Sequence, residues 1–153
     1  MFNGQEKLYI RDRRSPDPKD ERTSYTFSRI KAKNTKPEVT LRKKLWESGI
    51  KGYRVHYKSL PGRPDILFKK AKLAIFVNGC FWHRCPYCNL PIPKNNSIFW
   101  KDKFDKNKLR DKTKIEKLNE LGYKVITFWE CQIKEDICMI INLIKEALHK
   151  DNE

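Results

Sequence analysis

Apolar residues in this chain fall into clusters whose spacing switches between helical and alternating. Near residue 35 the period is helical. Thr35 is the expected N-cap, Pro37 sits in the first turn, and Glu38 follows the cap by three residues. Val39, Leu41, Leu45 and Trp46 supply an apolar side, and Gly49 stops the helix. Tyr53 to Tyr57 alternates as a strand does, and Leu60-Pro-Gly-Arg-Pro64 reads as a rigid loop. Asp65-Ile-Leu-Phe68 and Leu73-Ala-Ile-Phe-Val77 predict paired strands joined by a polar turn. The helical period returns from Phe99 to Leu121 and ends at Gly122, and Tyr123 to Trp129 predicts a buried strand. A last helix over residues 134–150 presents Ile137, Ile140, Ile141, Ile144 and Leu148 on one face. The order is helix, three strands, helix, strand, helix. It predicts a mixed α/β sandwich with a sheet of at least four strands flanked by helices.

Length and charge sharpen this picture. A chain of 153 residues suits one domain with a real core. Residues 1–22 lack a sustained period and read as a mobile basic arm, which leaves residues 23–153 for the folded domain, starting near Tyr25. Lys and Arg number 34 against 19 Asp and Glu, a formal charge of +15. A field that positive favours a polyanion and speeds its capture, so nucleic acid is the expected partner. No apolar run spans a bilayer, no basic amphipathic helix with an exposed apolar face stands out, and Met1 to Arg14 has no secretory core. The expected location is the cytoplasm, where five cysteines argue for metal binding rather than disulfides.

The densest chemistry lies in Asn78-Gly-Cys-Phe-Trp-His-Arg-Cys-Pro-Tyr-Cys88, directly after a predicted strand. Cys80, Cys85 and Cys88 have metal-ligand spacing, and Cys131, near the end of a core strand, is the best fourth ligand for a structural zinc. Buried free thiols are the ordinary alternative. A rival ligand set puts His83 in place of one cysteine; four thiols already fill the sphere and leave His83 for other work. Cys138 reads as packing. Asp65, at a sheet edge after a rigid loop, suits a hard cation shared with phosphate, and His83 suits a general base. Each has a plainer reading, Asp65 as a loop cap and His83 as a surface histidine. Glu38 in a first turn is expected for dipole reasons alone. Phosphodiester hydrolysis needs a cation, an activated water and a donor to the leaving oxygen. Together the residues point to a metal-dependent nuclease acting on DNA.

The same residues in this order resemble the very short patch repair (Vsr) DNA mismatch endonuclease family. The matching pieces are Lys33-Asn-Thr-Lys-Pro-Glu38, Leu60-Pro-Gly-Arg-Pro-Asp65, Ile75-Phe-Val-Asn-Gly-Cys-Phe-Trp-His83, Phe99-Trp100, Asn107 with Arg110-Asp111, and Gly122-Tyr-Lys-Val through Trp129-Glu-Cys131. The resemblance implies a restriction-endonuclease-like fold, a structural Zn2+, and Mg2+-dependent nicking beside the T of a T:G mispair left by 5-methylcytosine deamination. It implies that Asp65 and the Val77 carbonyl hold Mg2+, that His83 activates water, and that Glu38 supports the site. Phe81, Trp82 and Trp100 correspond to aromatics that wedge into DNA. Double-stranded DNA is the implied partner of a monomer working in the bacterial cytoplasm beside a cytosine-5 methyltransferase and accessory repair proteins.

Three departures bear on mechanism. Asn78 stands where some relatives have a titrating histidine, and it offers a hydrogen bond only. The zinc ligands are all cysteine. The acid-x-Lys pair common in this fold superfamily is missing after the second strand, which shifts the chemical burden to His83. Asn107 and Arg110 fit phosphate contact and site support as well as they fit a solvated helix face. Asp111 orients His83 or pairs with Arg110; His56 reads as structural or peripheral and His149 as exposed. A rigid aromatic wedge prefers a weakened base step because opening it costs least at a mismatch. Two rival functions stand beside this one. One is a restriction- or defence-type nuclease of the same fold cutting paired DNA, and the other is a zinc-stabilised DNA-binding module without activity.

Overall fold

The computed structural model describes residue 16 and residues 18–149. The chain divides into two compact units, residues 1–31 and residues 32–153. The first unit contains helix α1 (Glu21–Ser28), whose N-cap Asp20 accepts the Thr23 N–H at 2.7 Å. Most of the arm expected over residues 1–22 lies outside the described residues, and α1 begins within its last two positions.

The second unit is built on a four-stranded sheet in the order β1-β2-β3-β4, with β1 (Arg54–Val55), β2 (Ile66–Phe68), β3 (Leu73–Asn78) and β4 (Lys124–Trp129). β1, β2 and β3 are antiparallel neighbours joined by short connections. β3 and β4 run parallel, which requires a long crossover. That crossover holds the one-turn helix α3 (Cys80–His83) and the 24-residue helix α4 (Ser97–Glu120). The remaining helices are α2 (Lys36–Glu47), α5 (Glu130–Glu135) and α6 (Ile137–His149).

Strand periodicity places the core on both faces of the sheet. Ile66, Phe68, Leu73 and Ile75 meet Leu41 and Leu45 of α2, Ile133 of α5, and Ile140, Ile141 and Ile144 of α6. Leu67, Ala74 and Phe76 point the other way, to Leu118 of α4. The result is helices on both sides of a mixed sheet, as the residue pattern predicts. Among the described residues no helix is long and apolar enough to cross a membrane.

Several expectations need correction. Val39 and Trp46 are 46% and 62% exposed, so the buried side of α2 is Glu38, Leu41 and Leu45. Trp46 instead lies under the Lys51 ammonium, 4.3 Å from its ring centroid. The strand expected over Tyr53 to Tyr57 is confined to two residues, because His56 takes a left-handed φ of 47°. The last helix breaks at Asp136 into α5 and α6, and Asp136 Oδ1 accepts the Met139 N–H at 2.9 Å as a new N-cap.

Candidate active site and cysteine cluster

β3 delivers the site. Its parallel register with β4 pairs Asn78 with Trp129, so two residues further on Cys80 and Cys131 arrive at the same level. The Cys131 N–H donates to Cys80 Sγ at 3.4 Å, and Cys85 Sγ lies 3.6 Å from Cys131 Sγ. Cys131 is the second residue of α5 rather than a strand residue. The one-turn helix α3 ends at Arg84 in the left-handed region, φ 56°, and the Cys85 N–H then turns back to the Cys80 carbonyl at 3.0 Å. The sulfurs of Cys80, Cys85, Cys88 and Cys131 all lie within 4.8 Å of one another. Thiolates around a tetrahedral zinc, with Zn–S near 2.3 Å, stand about 3.8 Å apart, so the donor set and spacing suit such an ion. Burial and the neighbouring sulfurs push the Cys131 thiol up, and a bound cation would remove that cost. Cys138 is exposed and stands outside the cluster.

Asp65 immediately precedes β2 and reaches across to β3, where its Oδ2 accepts the Val77 N–H at 2.7 Å. Burial pushes its carboxyl up to about 6, against that hydrogen bond; Glu38 adds to the rise, and Lys114 and His83 oppose it. Glu38 is only 4% exposed. Its Oε2 accepts the Asn34 N–H at 3.0 Å and its Oε1 accepts the Thr35 hydroxyl at 2.9 Å. Helix α2 therefore carries a carboxylate into the sheet edge on its buried side, where periodicity calls for an apolar residue.

His56 joins these acids. The antiparallel register of β1 and β2 continues one step to set it opposite Asp65, with the His56 N–H on the Asp65 carbonyl at 3.3 Å. Its Nε2 lies 3.4 Å from Glu38 Oε2, and its Nδ1 lies 3.7 Å from Asp65 Oδ1. Glu38, His56 and Asp65 offer ligand atoms within 4.8 Å of one another, a spacing that fits a divalent cation. The sequence alone predicts a structural or peripheral place for His56, and the structure sets it between the two acids. The signal was the hairpin register, which becomes readable only once β1 and β2 are paired.

His83, the last residue of α3, engages α4. Its Nδ1 is 2.6 Å from Asp111 Oδ2, while Asp111 Oδ1 is 2.7 Å from Lys114 Nζ. Burial raises the Asp111 carboxyl, but the bonds to His83 and Lys114 outweigh it and hold it below the usual carboxylate range. Of the two expectations for Asp111, the pairing with His83 is the one formed. Asn107 is buried, and its amide donates to the Trp82 carbonyl at 2.8 Å, so it braces the loop rather than facing solvent; Arg110 is exposed. Asn78 is buried at the end of β3.

Phe81, Trp82, Trp100 and Phe104 form one aromatic cluster, with Phe81 at 5.2 Å from both Trp82 and Trp100 and at 5.3 Å from Phe104. Trp100 is 4% exposed, so in this conformation it backs the cluster instead of presenting a free face. Phe81 and Trp82 are half-buried at the cluster's edge.

A sequence model of the DNA mismatch endonuclease Vsr family matches residues 17–89, the stretch that holds Glu38, His56, Asp65, His83 and three of the four clustered cysteines. The chain is 38% identical over 131 residues to the type II nicking enzyme V.NmeAIP of Neisseria meningitidis serogroup A, covering 82% of this chain and 93% of that one. It is 37% identical over 124 residues to the type II nicking enzyme V.XorIIP of Xanthomonas oryzae pv. oryzae, covering 81% and 88%. It is 37% identical over 105 residues to the DNA mismatch endonuclease Vsr of Escherichia coli K12, covering 69% and 67%. The fold, a mixed sheet flanked by helices with a four-cysteine cluster, is the restriction-endonuclease-like one. The chain belongs to the DNA mismatch endonuclease Vsr family and is a DNA-nicking endonuclease.

Proposed function

We propose that this endonuclease is Mg2+-dependent and nicks one strand of double-stranded DNA at T:G mispairs arising from 5-methylcytosine deamination. The observation that carries this reading is the joint presence of two adjacent acids, buried Glu38 and partly buried Asp65, and a carboxylate-held imidazole, His83 with Asp111. Asp65, with the carbonyl of Val77, would hold the magnesium ion. Bound there, the ion supplies charge offset on the scissile phosphate and on the attacking oxygen. His83 takes the proton from water, with Asp111 fixing the ring through Nδ1. Glu38 keeps its carboxylate beside Asp65 by accepting from Asn34 and Thr35. Asn78 offers an amide at the end of β3, and Arg110 contacts phosphate from the exposed side of α4. The edge residues Phe81 and Trp82, with Trp100 behind them, enter a base step that a mispair has weakened. The four thiolates hold a structural zinc that sets the pose of this loop. The enzyme works as a monomer in the bacterial cytoplasm, with residues 1–22 as an arm outside the catalytic domain.

Purified protein incubated with T:G and C:G duplexes, with and without Mg2+, tests the reading. Nicking of the T:G duplex alone, only with Mg2+, is expected, with Asp65→Ala and His83→Ala losing incision while retaining DNA binding. Equal rates on the two duplexes would favour a restriction- or defence-type role.

A further inference from the structure

The lysines of α4 are mostly exposed, as a charged helix face is expected to be, but Lys114 is not. Its side chain is only 12% exposed. Its ammonium lies 4.0 Å from the ring centroid of Phe76, a core residue of β3. Its stem packs against Gly62 of the Leu60–Pro64 loop, where an added Cβ would come within 2.8 Å of Lys114 Cδ and 2.9 Å of Lys114 Cβ. Gly62 also has a φ of +71°, so both its backbone and its missing side chain suit the buried lysine. The ammonium ends 2.7 Å from Asp111 Oδ1, on the carboxylate whose other oxygen is 2.6 Å from His83 Nδ1. Its charge also reaches Asp65.

A carboxylate bound at one oxygen can swing about its side-chain torsions; bound at both, it has one pose. Placement of a reacting group within a fraction of an ångström governs rate. We propose that Lys114 is a positioning residue of the nicking reaction, anchoring Asp111 so that His83 is held in a single orientation toward the scissile phosphate. The fold thus brings a lysine to the site from a helix, although the strand position that supplies one elsewhere in the superfamily lacks it. This rests on the reading of His83 as the water-activating group.

The test is a mutant cycle on whichever duplex the wild type nicks. Lys114→Met, Lys114→Arg, Asp111→Asn, the Lys114→Met/Asp111→Asn double variant and His83→Ala are compared. The readouts are single-turnover rate at saturating DNA, DNA affinity without Mg2+, zinc content and Tm. Methionine keeps the stem over Gly62 and Phe76, so zinc content and Tm should hold. The rate of Lys114→Met should fall roughly 10- to 100-fold, with DNA affinity within about threefold, and Lys114→Arg should recover part of the rate. The double variant should be no slower than Asp111→Asn alone. The proposal is overturned by a wild-type rate in Lys114→Met, by an affinity loss at an unchanged saturated rate, or by losses that multiply in the double variant. If Lys114→Met loses zinc or Tm, Lys114→Gln takes its place in the cycle under the same criteria. A fully active His83→Ala would remove the underlying reading as well; an inactive His83→Ala beside a fully active Lys114→Met would remove this proposal alone.

Discussion

At the scale of single residues, the site stores an electrostatic cost. Asp65 is partly desolvated and faces Glu38, and its folded-state value of about 6 lies above the ordinary 3.8. The folded protein therefore binds this proton more tightly than the unfolded chain does. Stability from this group falls as pH rises from 3.8 toward about 6, and the full cost, up to about 3 kcal/mol, is present above that. Asp65→Asn keeps an oxygen for the Val77 N–H and removes the charge. Without Mg2+, the variant should melt higher than wild type at about pH 8, by about 1–3 kcal/mol, and the difference should shrink by about pH 5. A variant less stable than wild type at both pH values would show that burial costs this carboxylate nothing. Asp65 and Glu38 were readable from sequence because each sits at a punctuated position, one after a Pro-Gly-Arg-Pro loop and the other after a cap. His56 was not, because its place depends on a left-handed backbone turn and on its pairing with Asp65, nine residues away in sequence. Lys114 was half-legible: it lies three residues from Asp111 on one helix face, but nothing local says that Gly62 buries it.

At the scale of elements, the short helix α3 is too brief to be stable by its own hydrogen bonds. What fixes it is its attachment at both ends, to β3 through Gly79 and to the four-cysteine cluster through Cys80 and Cys85. A structural zinc held by the four cysteines would supply on the order of 10 kcal/mol, comparable to a whole domain's stability of about 5–15 kcal/mol, so on the proposed reading its removal should unfold more than the loop. Chelation is expected to lower helical circular dichroism and Tm together. Cys131→Ser should lose zinc and nicking, whereas Cys138→Ser, altering an exposed thiol outside the cluster, should keep both. A Cys131→Ser protein with stoichiometric zinc and wild-type Tm would contradict the four-thiolate assignment. The cysteine spacing pointed to three members of the cluster; the parallel register of β3 and β4 is what brings Cys131 beside them, and a sequence pattern carries that only as the order of its strands. The break at Asp136 does not show in the sequence pattern, because the apolar period of the helix that follows runs on without interruption.

At the scale of the whole molecule, the question is where the +15 charge acts. Residues 1–22 hold six Lys or Arg against five Asp or Glu, so nearly all of the surplus lies in residues 23–153. Counterion release makes DNA affinity fall with salt at a slope of about −0.9 for each phosphate neutralised. A protein lacking residues 1–22 should therefore bind non-specific duplex with a slope within about one unit of the full chain's, while charge removal on α4 should flatten it. Fluorescence anisotropy over a salt series distinguishes the two. A slope that drops by several units on truncation would mean that the arm's basic residues track the duplex despite the acids between them. Salt should also lower affinity for T:G and C:G duplexes alike, because phosphates are the same in both. If, as proposed, the half-buried edge of the Phe81–Trp82 cluster supplies the preference between the two duplexes, its energy does not depend on screening. The ratio of T:G to C:G affinity should accordingly hold nearly constant across the series while both absolute affinities fall. A ratio that collapses with salt would move the source of discrimination from the aromatic edge to the charged face of α4.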